Sequence, residues 1–417
     1  MRQTSWISDL DLPDWRYGLG LFAAAMMFVW HPFSGGPRVP TLILFLLGIA
    51  FWVMCWKRLA SDQVQRRWLL IIACLGIPTL LSLITSHSPE HTAIRLLLVL
   101  GMFVVGSAMI EVFRLPSSLE LLKRVLSILL VIWIVDALVQ MAFGKDLLGV
   151  PLMEGSVAPR VVGMNASHLY LQWVLVLSLP VLLWALLPNH PYKSILLLLA
   201  AGVVIQGSGV RAAWLSWLIV AGVFFWRLRI PKKWLIVIGL LVSLVITATF
   251  SPVAQKKLEA LTIEQVNFEQ MNKLLNGRLV LWEVGWLMFK DQPLTGIGAD
   301  AYRQAYGTYS YRENDRYRPG GKIGVTHPHH IYVAIAAETG AIGIIGMLGI
   351  WVAIMFWYFR RPKEMRLRAE PYAVGLLAVM FPVNSQPLIY KTWWVPLLVF
   401  FAAALLASLE ERGRDST

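Results

Sequence analysis

Long apolar runs separated by short polar stretches fill most of the chain. A helix needs about 20 mostly apolar residues to cross a bilayer. Runs of that kind lie at 15–33, 40–56, 68–85, 92–113, 119–143, 166–187, 194–207, 210–226, 233–250, 329–359, 371–388 and 392–409. The pattern predicts an all-α integral membrane protein with about twelve transmembrane helices. The seventh and eighth runs meet at residues 207–209, Gly-Ser-Gly, where we expect a tight turn or a broken helix.

The largest interruption, residues 251–328, separates the ninth and tenth runs. We therefore divide the chain into transmembrane helices 1–9 (1–250), one large loop (251–328), and transmembrane helices 10–12 with a cytoplasmic tail (329–417). Within the loop, GRLVLWEVGWLMFK is apolar on most faces, and we expect this helix to lie in the membrane interface or to pack on the bundle. The polar and aromatic residues after 301 predict an irregular lid.

Basic residues orient the predicted helices. With the N-terminus in the cytoplasm, the inside segments carry 21 Lys and Arg residues, and the short outside segments carry 6. Cytoplasmic loops of membrane proteins show such an excess. Both termini are then inside and the large loop is outside.

Composition agrees with a membrane protein. The chain is 57% hydrophobic with a mean hydropathy of +0.63, and 15% of its residues are charged, where a soluble domain has about 25%. The net charge of +13 would suggest nucleic acid in a soluble protein; here we assign it to cytoplasmic Lys and Arg, and expect no nucleic-acid partner. Cys55 and Cys74 lie in apolar runs, which indicates neither a disulfide framework nor a zinc site.

The sequence HPHHIY at 327–332 is the first candidate for chemistry. We expect Pro328 in the first turn of the tenth span, with His329 beside it at the outer membrane face. The partial positive charge of a helix N-terminus disfavours imidazolium, so a neutral His329 could act as a general base. Two alternatives stay open at this point: a metal site made by His327, His329 and His330, or interfacial histidines with no role.

Nine residues further along the same span lies Glu338. At about 100° per residue it points away from His329 and lies deeper in the membrane. A carboxylate there is costly unless paired, so we interpret Glu338 as an architectural hydrogen-bond partner. Gly296–Gly298, Gly-Ile-Gly, predicts a turn and no dinucleotide site, because no βαβ unit surrounds it.

Arginines make the predicted outer mouth cationic. Arg211 opens the eighth span and Arg278 opens the apolar loop helix, where each could bind an anion such as phosphate. Arg211 could instead anchor a helix end, and Arg278 could instead form a surface ion pair with Glu283 or Asp291. Arg160 precedes the sixth span on the same side. The lid adds candidate substrate contacts at Tyr302, Arg303, Arg312, Arg316 and Arg318, although such a charge cluster is usually a solvated surface. His330 is a further candidate substrate contact.

These features resemble the O-antigen ligase and polymerase superfamily of bacterial envelope glycosyltransferases. The outer loop lies between the ninth and tenth spans, and GRLVLWEVGWLMFKDQPLTGIGADAY looks like the family's R…W…P…GxG stretch. The family's most specific motif is His, a small polar residue, nine residues and Gly-x-x-Gly; here it matches His329, His330, Gly340 and Gly343. The second position is His330 instead of the usual Asn, Ser or Gln.

The resemblance implies a GT-C-type, metal-independent, inverting glycosyltransferase that needs no cofactor. It would act on the periplasmic face of the bacterial inner membrane and move O-antigen polysaccharide from undecaprenyl pyrophosphate to lipid A–core. His329 would be the general base, Arg211 and Arg278 would bind the pyrophosphate with Arg160 nearby, and Gly340 and Gly343 would be structural. We expect a monomer that contacts membrane lipid, with the loop helix holding the polyprenyl tail.

Three other functions remain open. Within the superfamily, the chain could be a polymerase that extends the lipid-linked glycan, or a protein O-oligosaccharyltransferase. A transporter of an anionic lipid-linked substrate is a different class, and it would predict paired half-repeats with broken helices near the midplane. No repeat is evident and the cationic residues cluster at one face, which favours an enzyme.

Overall fold

The computed structural model describes residues 14–33, 36–154, 159–164, 170–231, 234, 268–275, 277–311, 327–382 and 390–410. The regular secondary structure of these residues is helical, apart from two isolated β-bridges, Lys145 with Pro151 and Met153 with Arg160. Turns and loops connect the helices. The helices are α1 (Trp15–Val29), α2 (Arg38–Ser61), α3 (Gln63–Leu81), α4 (Pro89–Phe113), α5 (Pro116–Phe143), α6 (Leu171–Leu186), α7 (Pro191–Gly207), α8 (Arg211–Arg227), α9 (Phe268–Leu274), α10 (Arg278–Asp291), α11 (Tyr302–Tyr309), α12 (Ile331–Phe359), α13 (Lys363–Met380) and α14 (Val395–Ser408).

Five of these helices are long and apolar enough to cross a membrane: α2, α3, α4, α5 and α12. Four shorter ones, α1, α6, α7 and α14, are also apolar. The described part of the chain is therefore an all-helical integral membrane protein, as the hydropathy pattern predicts. The total of about twelve spans stays a prediction, since residues 235–250, which hold most of the ninth run, lie outside the described residues.

The predicted turn between the seventh and eighth runs is confirmed. Helix α7 ends at Gly207, and α8 begins four residues later at Arg211. The two helices pack as an antiparallel hairpin, in which the indole N–H of Trp217 donates to the Leu198 carbonyl at 3.1 Å. Gly202 gives the Trp217 ring its space, because a Cβ atom there would lie 2.6 Å from that ring.

Ion pairs gather loops at one end of the helix bundle. Arg114, after α4, binds Asp62 at 2.5 Å and Glu410 at 2.8 Å, so it joins the α2–α3 turn to the end of α14. Arg227, at the end of α8, binds Glu370 of α13 at 2.8 Å. All of these residues come from segments that the charge pattern assigns to the cytoplasmic side. The shared side of these segments stays a prediction.

The loop helices form a small second core on the bundle. Buried side chains of α10 and α11, among them Leu281 and Tyr306, pack around Ala337 of α12. Gly285 lets α10 approach α12, because a Cβ atom there would lie 2.7 Å from Val333. On the other face of α10, Trp286 is half exposed and stacks on Phe289. Of the two expected positions for this helix, packing on the bundle is the one observed.

Candidate active site

His330 caps the helix that follows the histidine segment. Its backbone is extended, at φ −156° and ψ 119°, and its Nδ1 accepts a long hydrogen bond of 3.4 Å from the N–H of Val333. Helix α12 therefore begins at Ile331. The expectation that Pro328 and His329 lie in its first turn is wrong, because an N-cap residue needs non-helical backbone and leaves its predecessors outside the helix.

His329 has an unusual backbone conformation. Its φ is +50°, in the left-handed region that few residues other than glycine adopt, although His, Asn and Asp are enriched there. The turn places its ring on that of His327, with centroids 3.9 Å apart and planes at 40°. Conformations of this kind cost about 1–3 kcal/mol and cluster at functional sites. The geometry therefore sets His329 apart from ordinary loop residues.

Two further groups flank the His330 ring. The backbone carbonyl of Pro382 lies near it. Trp282 of α10 meets the ring edge-on at a centroid distance of 5.5 Å, and its indole N–H donates to the Pro328 carbonyl at 3.0 Å. His330 is thus the ring that the helix cap uses and His329 is the one that it does not; a substrate contact by His330 stays a prediction.

Cations and burial keep the neighbouring imidazoles neutral. Burial, helped by the charges of Lys391 and Arg278, lowers the pKa of His327 to about 4. Burial and Arg278 also lower the pKa of His330. Both rings can then accept hydrogen bonds at neutral pH. Within the described ranges, no three His, Cys, Asp or Glu residues group as a metal site.

Helix α12 is broken at Gly340, where φ is +63° and ψ is −159°. The segment 293–298 fills the break. The N–H of Ala341 donates to the Pro293 carbonyl at 2.8 Å, and the N–H of Gly298 donates to the Glu338 carbonyl at 3.0 Å. The backbones touch so closely that a Cβ atom on Gly296 would lie 2.3 Å from the carbonyl carbon of Glu338. The Gly-Ile-Gly and Gly-x-x-Gly sequences are therefore two halves of one backbone contact.

Glu338 holds the residues that follow this segment. Its buried carboxyl group lies near the backbone N–H groups of Asp300 and Tyr302, at the start of α11. Asp300, itself at a φ of +59°, binds Arg95 of α4 at 2.6 Å. The α3–α4 turn adds Thr85, whose hydroxyl donates to the Gly296 carbonyl at 2.6 Å. These contacts suit the architectural role predicted for Glu338, which stays a prediction.

A second cationic pair lies at the α7–α8 turn. Arg211 is the first residue of α8, and its guanidinium is near enough to that of Arg160 for the two charges to repel. The loop that carries Arg160 is anchored by the N–H of Val161, which donates to the Gly207 carbonyl at 3.0 Å. Buried Gln140 of α5 anchors it further, because its Oε1 accepts from the N–H of Val162 at 2.9 Å. Two like charges held together in this way suit an anionic ligand.

Comparison with known proteins relates this arrangement to a family. Residues 195–348 match the model of a family described as O-antigen ligase. The exopolysaccharide production protein ExoQ of Rhizobium meliloti (strain 1021) is 27% identical over 150 residues, which are 34% of this chain. The chain is therefore similar to the O-antigen ligase superfamily over residues 195–348. It spans about a third of the relative's length, 33%.

The superfamily match contains most of the predicted site residues. Arg211, Arg278 and His329 all lie within residues 195–348, as do Glu338 and both glycines of the Gly-x-x-Gly motif. Arg160 and Lys391 lie outside the match. The structure stacks the rings of His329 and His327 and places His327 within reach of the charges of Arg278 and Lys391. Arg211 separately lies within reach of the charge of Arg160.

The structure places the predicted lid residues differently from one another. Tyr302, expected to contact substrate, is 1% exposed, and its hydroxyl donates to the Leu281 carbonyl at 2.5 Å. It fixes α11 on α10 and is not available to a ligand. Arg303 is exposed on α11. The other three lid candidates, Arg312, Arg316 and Arg318, lie outside the described residues.

Three residues of the site region were missed by the sequence interpretation. That interpretation counted Arg95 and Lys391 only among the basic residues of the outside segments, and it did not consider Gln140. A buried Gln or an Arg at the outer end of a span is a usable signal, because polar side chains inside a membrane protein need partners. The partners themselves, Asp300 for Arg95 and the 150–163 loop for Gln140, are distant in sequence.

Proposed function

We propose that this protein is a glycosyltransferase of the O-antigen ligase superfamily that moves O-antigen polysaccharide from undecaprenyl pyrophosphate to lipid A–core. The observation that carries the proposal is the left-handed turn at His329, which sets its imidazole against the neutral ring of His327, and the charge of Arg278 acts on His327. The reaction would take place at the periplasmic face of the bacterial inner membrane. Donor glycan and acceptor lipid are both polyanionic amphiphiles, which suits a membrane-embedded site with a cationic rim.

The proposed chemistry is one displacement. The acceptor hydroxyl oxygen attacks the anomeric carbon of the donor, its proton passes to the His329 imidazole, and the bond from that carbon to the pyrophosphate oxygen breaks. Attack from the opposite side inverts the anomeric configuration. A positioned base contributes about 10²–10⁴ in rate. The product is a new glycosidic bond, with undecaprenyl pyrophosphate released.

Arginines would stabilise the leaving group. The pyrophosphate gains negative charge as the glycosidic bond breaks. Arg278, whose charge acts on His327, can bind the pyrophosphate oxygens through two parallel N–H donors. We assign Arg211, with Arg160 next to it, to the same pyrophosphate. Cationic donors of this type, fixed in a dry site, contribute about 3 kcal/mol each. This mechanism requires no metal ion and no cofactor.

A polymerase is the second candidate. The relative ExoQ is named for exopolysaccharide production, which suggests chain growth on a lipid-linked glycan rather than transfer to lipid A–core. The two activities share donor and base and differ in the acceptor. Reconstituted protein would be given an undecaprenyl pyrophosphate-linked glycan with lipid A–core, or with additional donor alone. Glycosylated lipid A–core supports the ligase, and longer lipid-linked glycan supports the polymerase.

The base is tested by His329→Asn. Asparagine tolerates a left-handed backbone and cannot take up the proton, so this variant keeps the turn and removes the base. We expect a loss of at least about 100-fold in kcat with unchanged thermal unfolding. His91→Asn, a change at an exposed position of α4, is the matched control and should keep full activity. Wild-type rates in the purified His329→Asn protein would disprove the assignment.

A further inference from the structure

An apolar cavity lies below the histidine segment, inside the helix bundle. Its walls come from α3, α4, α12, α13 and α14, and include Trp68, Met102, Trp351 and Ala402. On α14 the lining runs from Val395 to Leu405, about 15 Å along the axis at 1.5 Å per residue. Such a space, about 130 Å³ in volume, is suited to part of a hydrocarbon chain that lies parallel to the helices.

Hydrogen bonds tie one end of this cavity to the candidate site. Tyr390, which lines it, shares a 3.0 Å hydrogen bond with the Thr79 hydroxyl at the end of α3. Tyr332 lies two residues after the His330 cap, and its hydroxyl donates to the carbonyl of Met380, another lining residue, at 2.9 Å. The indole N–H of Trp351 donates to the same hydroxyl at 3.0 Å. The cavity therefore ends where the histidine segment begins.

Lys391 follows Tyr390 directly and lies at this end. Its carbonyl accepts the N–H groups of Trp394 and Val395, both at 2.9 Å, so its backbone is fixed at the start of α14. The side chain is half-buried, and its charge acts on both His327 and buried Glu338. Among the described residues, no carboxylate lies within ion-pair distance of its ammonium group.

We propose that Lys391 binds the phosphates of a lipid-linked substrate whose isoprenoid tail occupies this cavity. The inference rests on the proposed function, because it places the donor's leaving group. Charge complementarity selects the occupant: a cation at the mouth of an apolar cavity suits an anionic amphiphile, with its head at Lys391 and its tail among the helices. Lys391 and Arg278, which both act on His327, would then hold the pyrophosphate beside the histidines. The tail would enter the bundle instead of lying along α10.

Binding without an acceptor gives the first test. Purified protein in nanodiscs would be titrated with undecaprenyl pyrophosphate, for wild type, Lys391→Met, Lys391→Arg and Lys290→Met. Lys290 is the matched control, an exposed lysine on α10 above the Trp286 ring. We expect Lys391→Met to weaken binding about tenfold, a loss of about 1.4 kcal/mol, while Lys391→Arg and Lys290→Met stay within about threefold. Equal affinity in Lys391→Met and Lys290→Met would overturn the role of Lys391.

Transfer kinetics and cavity filling give the second test. If Lys391 only binds the donor, Lys391→Met should raise the KM for the donor about tenfold and leave kcat within about threefold. Ala402→Phe fills the cavity, so it should weaken binding of undecaprenyl pyrophosphate but not of inorganic pyrophosphate, which has no tail. Equal effects on both ligands, or equal binding of phosphatidylglycerol, would overturn the tail assignment.

These arms separate the two proposals. Wild-type protein that binds undecaprenyl pyrophosphate through Lys391 but transfers no glycan would contradict the proposed function and leave the binding site standing. Active protein in which Lys391→Met binds the donor normally would contradict only the binding site. Thermal unfolding of each variant, compared with wild type, identifies a variant that has lost its fold. If Lys391→Met is such a variant, the affinity of Lys391→Arg is compared with that of wild type instead.

Discussion

Changing Gly340 to alanine tests whether the break in α12 is stabilised by its backbone contact with residues 293–298. At φ +63° and ψ −159°, Gly340 occupies a region that is almost confined to glycine. A Cβ atom there would also lie 2.3 Å from the Leu294 carbonyl oxygen. That oxygen accepts the N–H of Ile342 at 3.2 Å, next to the bond between Ala341 and Pro293. Alanine is therefore opposed both by its backbone preference and by the segment that fills the break.

The magnitude follows from these two contributions. The backbone conformation costs alanine about 1–3 kcal/mol, and loss of the two hydrogen bonds costs about 1 kcal/mol each. We expect Gly340→Ala to lower the free energy of unfolding by about 3–5 kcal/mol. Gly144, at φ +77° with open space around it, isolates the backbone contribution, so Gly144→Ala should cost only about 1–2 kcal/mol.

A third glycine calibrates the series in the opposite direction. Gly222 lies within α8, and nothing is within 4 Å of a Cβ atom there. Gly222→Ala should stabilise the protein by about 0.5–1 kcal/mol, because alanine is the better helix former. Unfolding of the purified variants in one detergent would give the order Gly222→Ala, wild type, Gly144→Ala, Gly340→Ala. Equal stability of Gly340→Ala and Gly144→Ala would refute the contact argument.

Two further predictions concern groups around the site. Because the pKa of His327 is about 4 in the folded protein and near 6.5 in an unfolded chain, the unfolded chain takes up the proton first. The free energy of unfolding should therefore fall by up to about 3 kcal/mol as the pH drops from about 6.5 to 4. Measured against pH, it should change less in His327→Gln than in wild type. The same pH dependence in both proteins would contradict the burial argument. Gln140→Leu leaves the buried N–H groups of Val162 and Gly163 without their acceptor and should cost about 2–5 kcal/mol. It should also raise the donor KM by loosening Arg160; a raised KM without lost stability, or neither effect, would contradict the anchoring role.

Hydropathy was sufficient to find the helices because the bilayer imposes a length and a polarity on each of them. The α7–α8 hairpin was also predictable, since Gly207 and Gly209 mark its turn in the sequence. The start of α12 was not. Pro328 is a good local signal for a first helical turn, yet Trp282 binds the Pro328 carbonyl and packs against the His330 ring, and both contacts come from α10. Contacts between distant segments overrode the local preference.

The same reason explains what the motifs left hidden. Gly-Ile-Gly at 296–298 predicts a turn when considered alone, and its pairing with the break at Gly340 becomes visible only when α10 and α12 are packed together. The bond between Arg95 and Asp300 joins residues 205 positions apart. No local pattern encodes such a pair, because each partner by itself resembles an ordinary charged residue at a helix end.

The candidate site combines residues inside the superfamily match with supporting residues outside it. Residues 195–348 supply the histidines, Arg211, Arg278 and the broken helix. The contacts that hold them come from outside that range: the α3–α4 turn and Arg95 grip the segment before α11, and Gln140 fixes the loop beside Arg211. Since binding geometry is set by supporting contacts as much as by the binding groups, shared chemistry would belong to the matched region. Differences in donor and acceptor would then arise from helices that the match does not include, with Lys391 the first residue to examine.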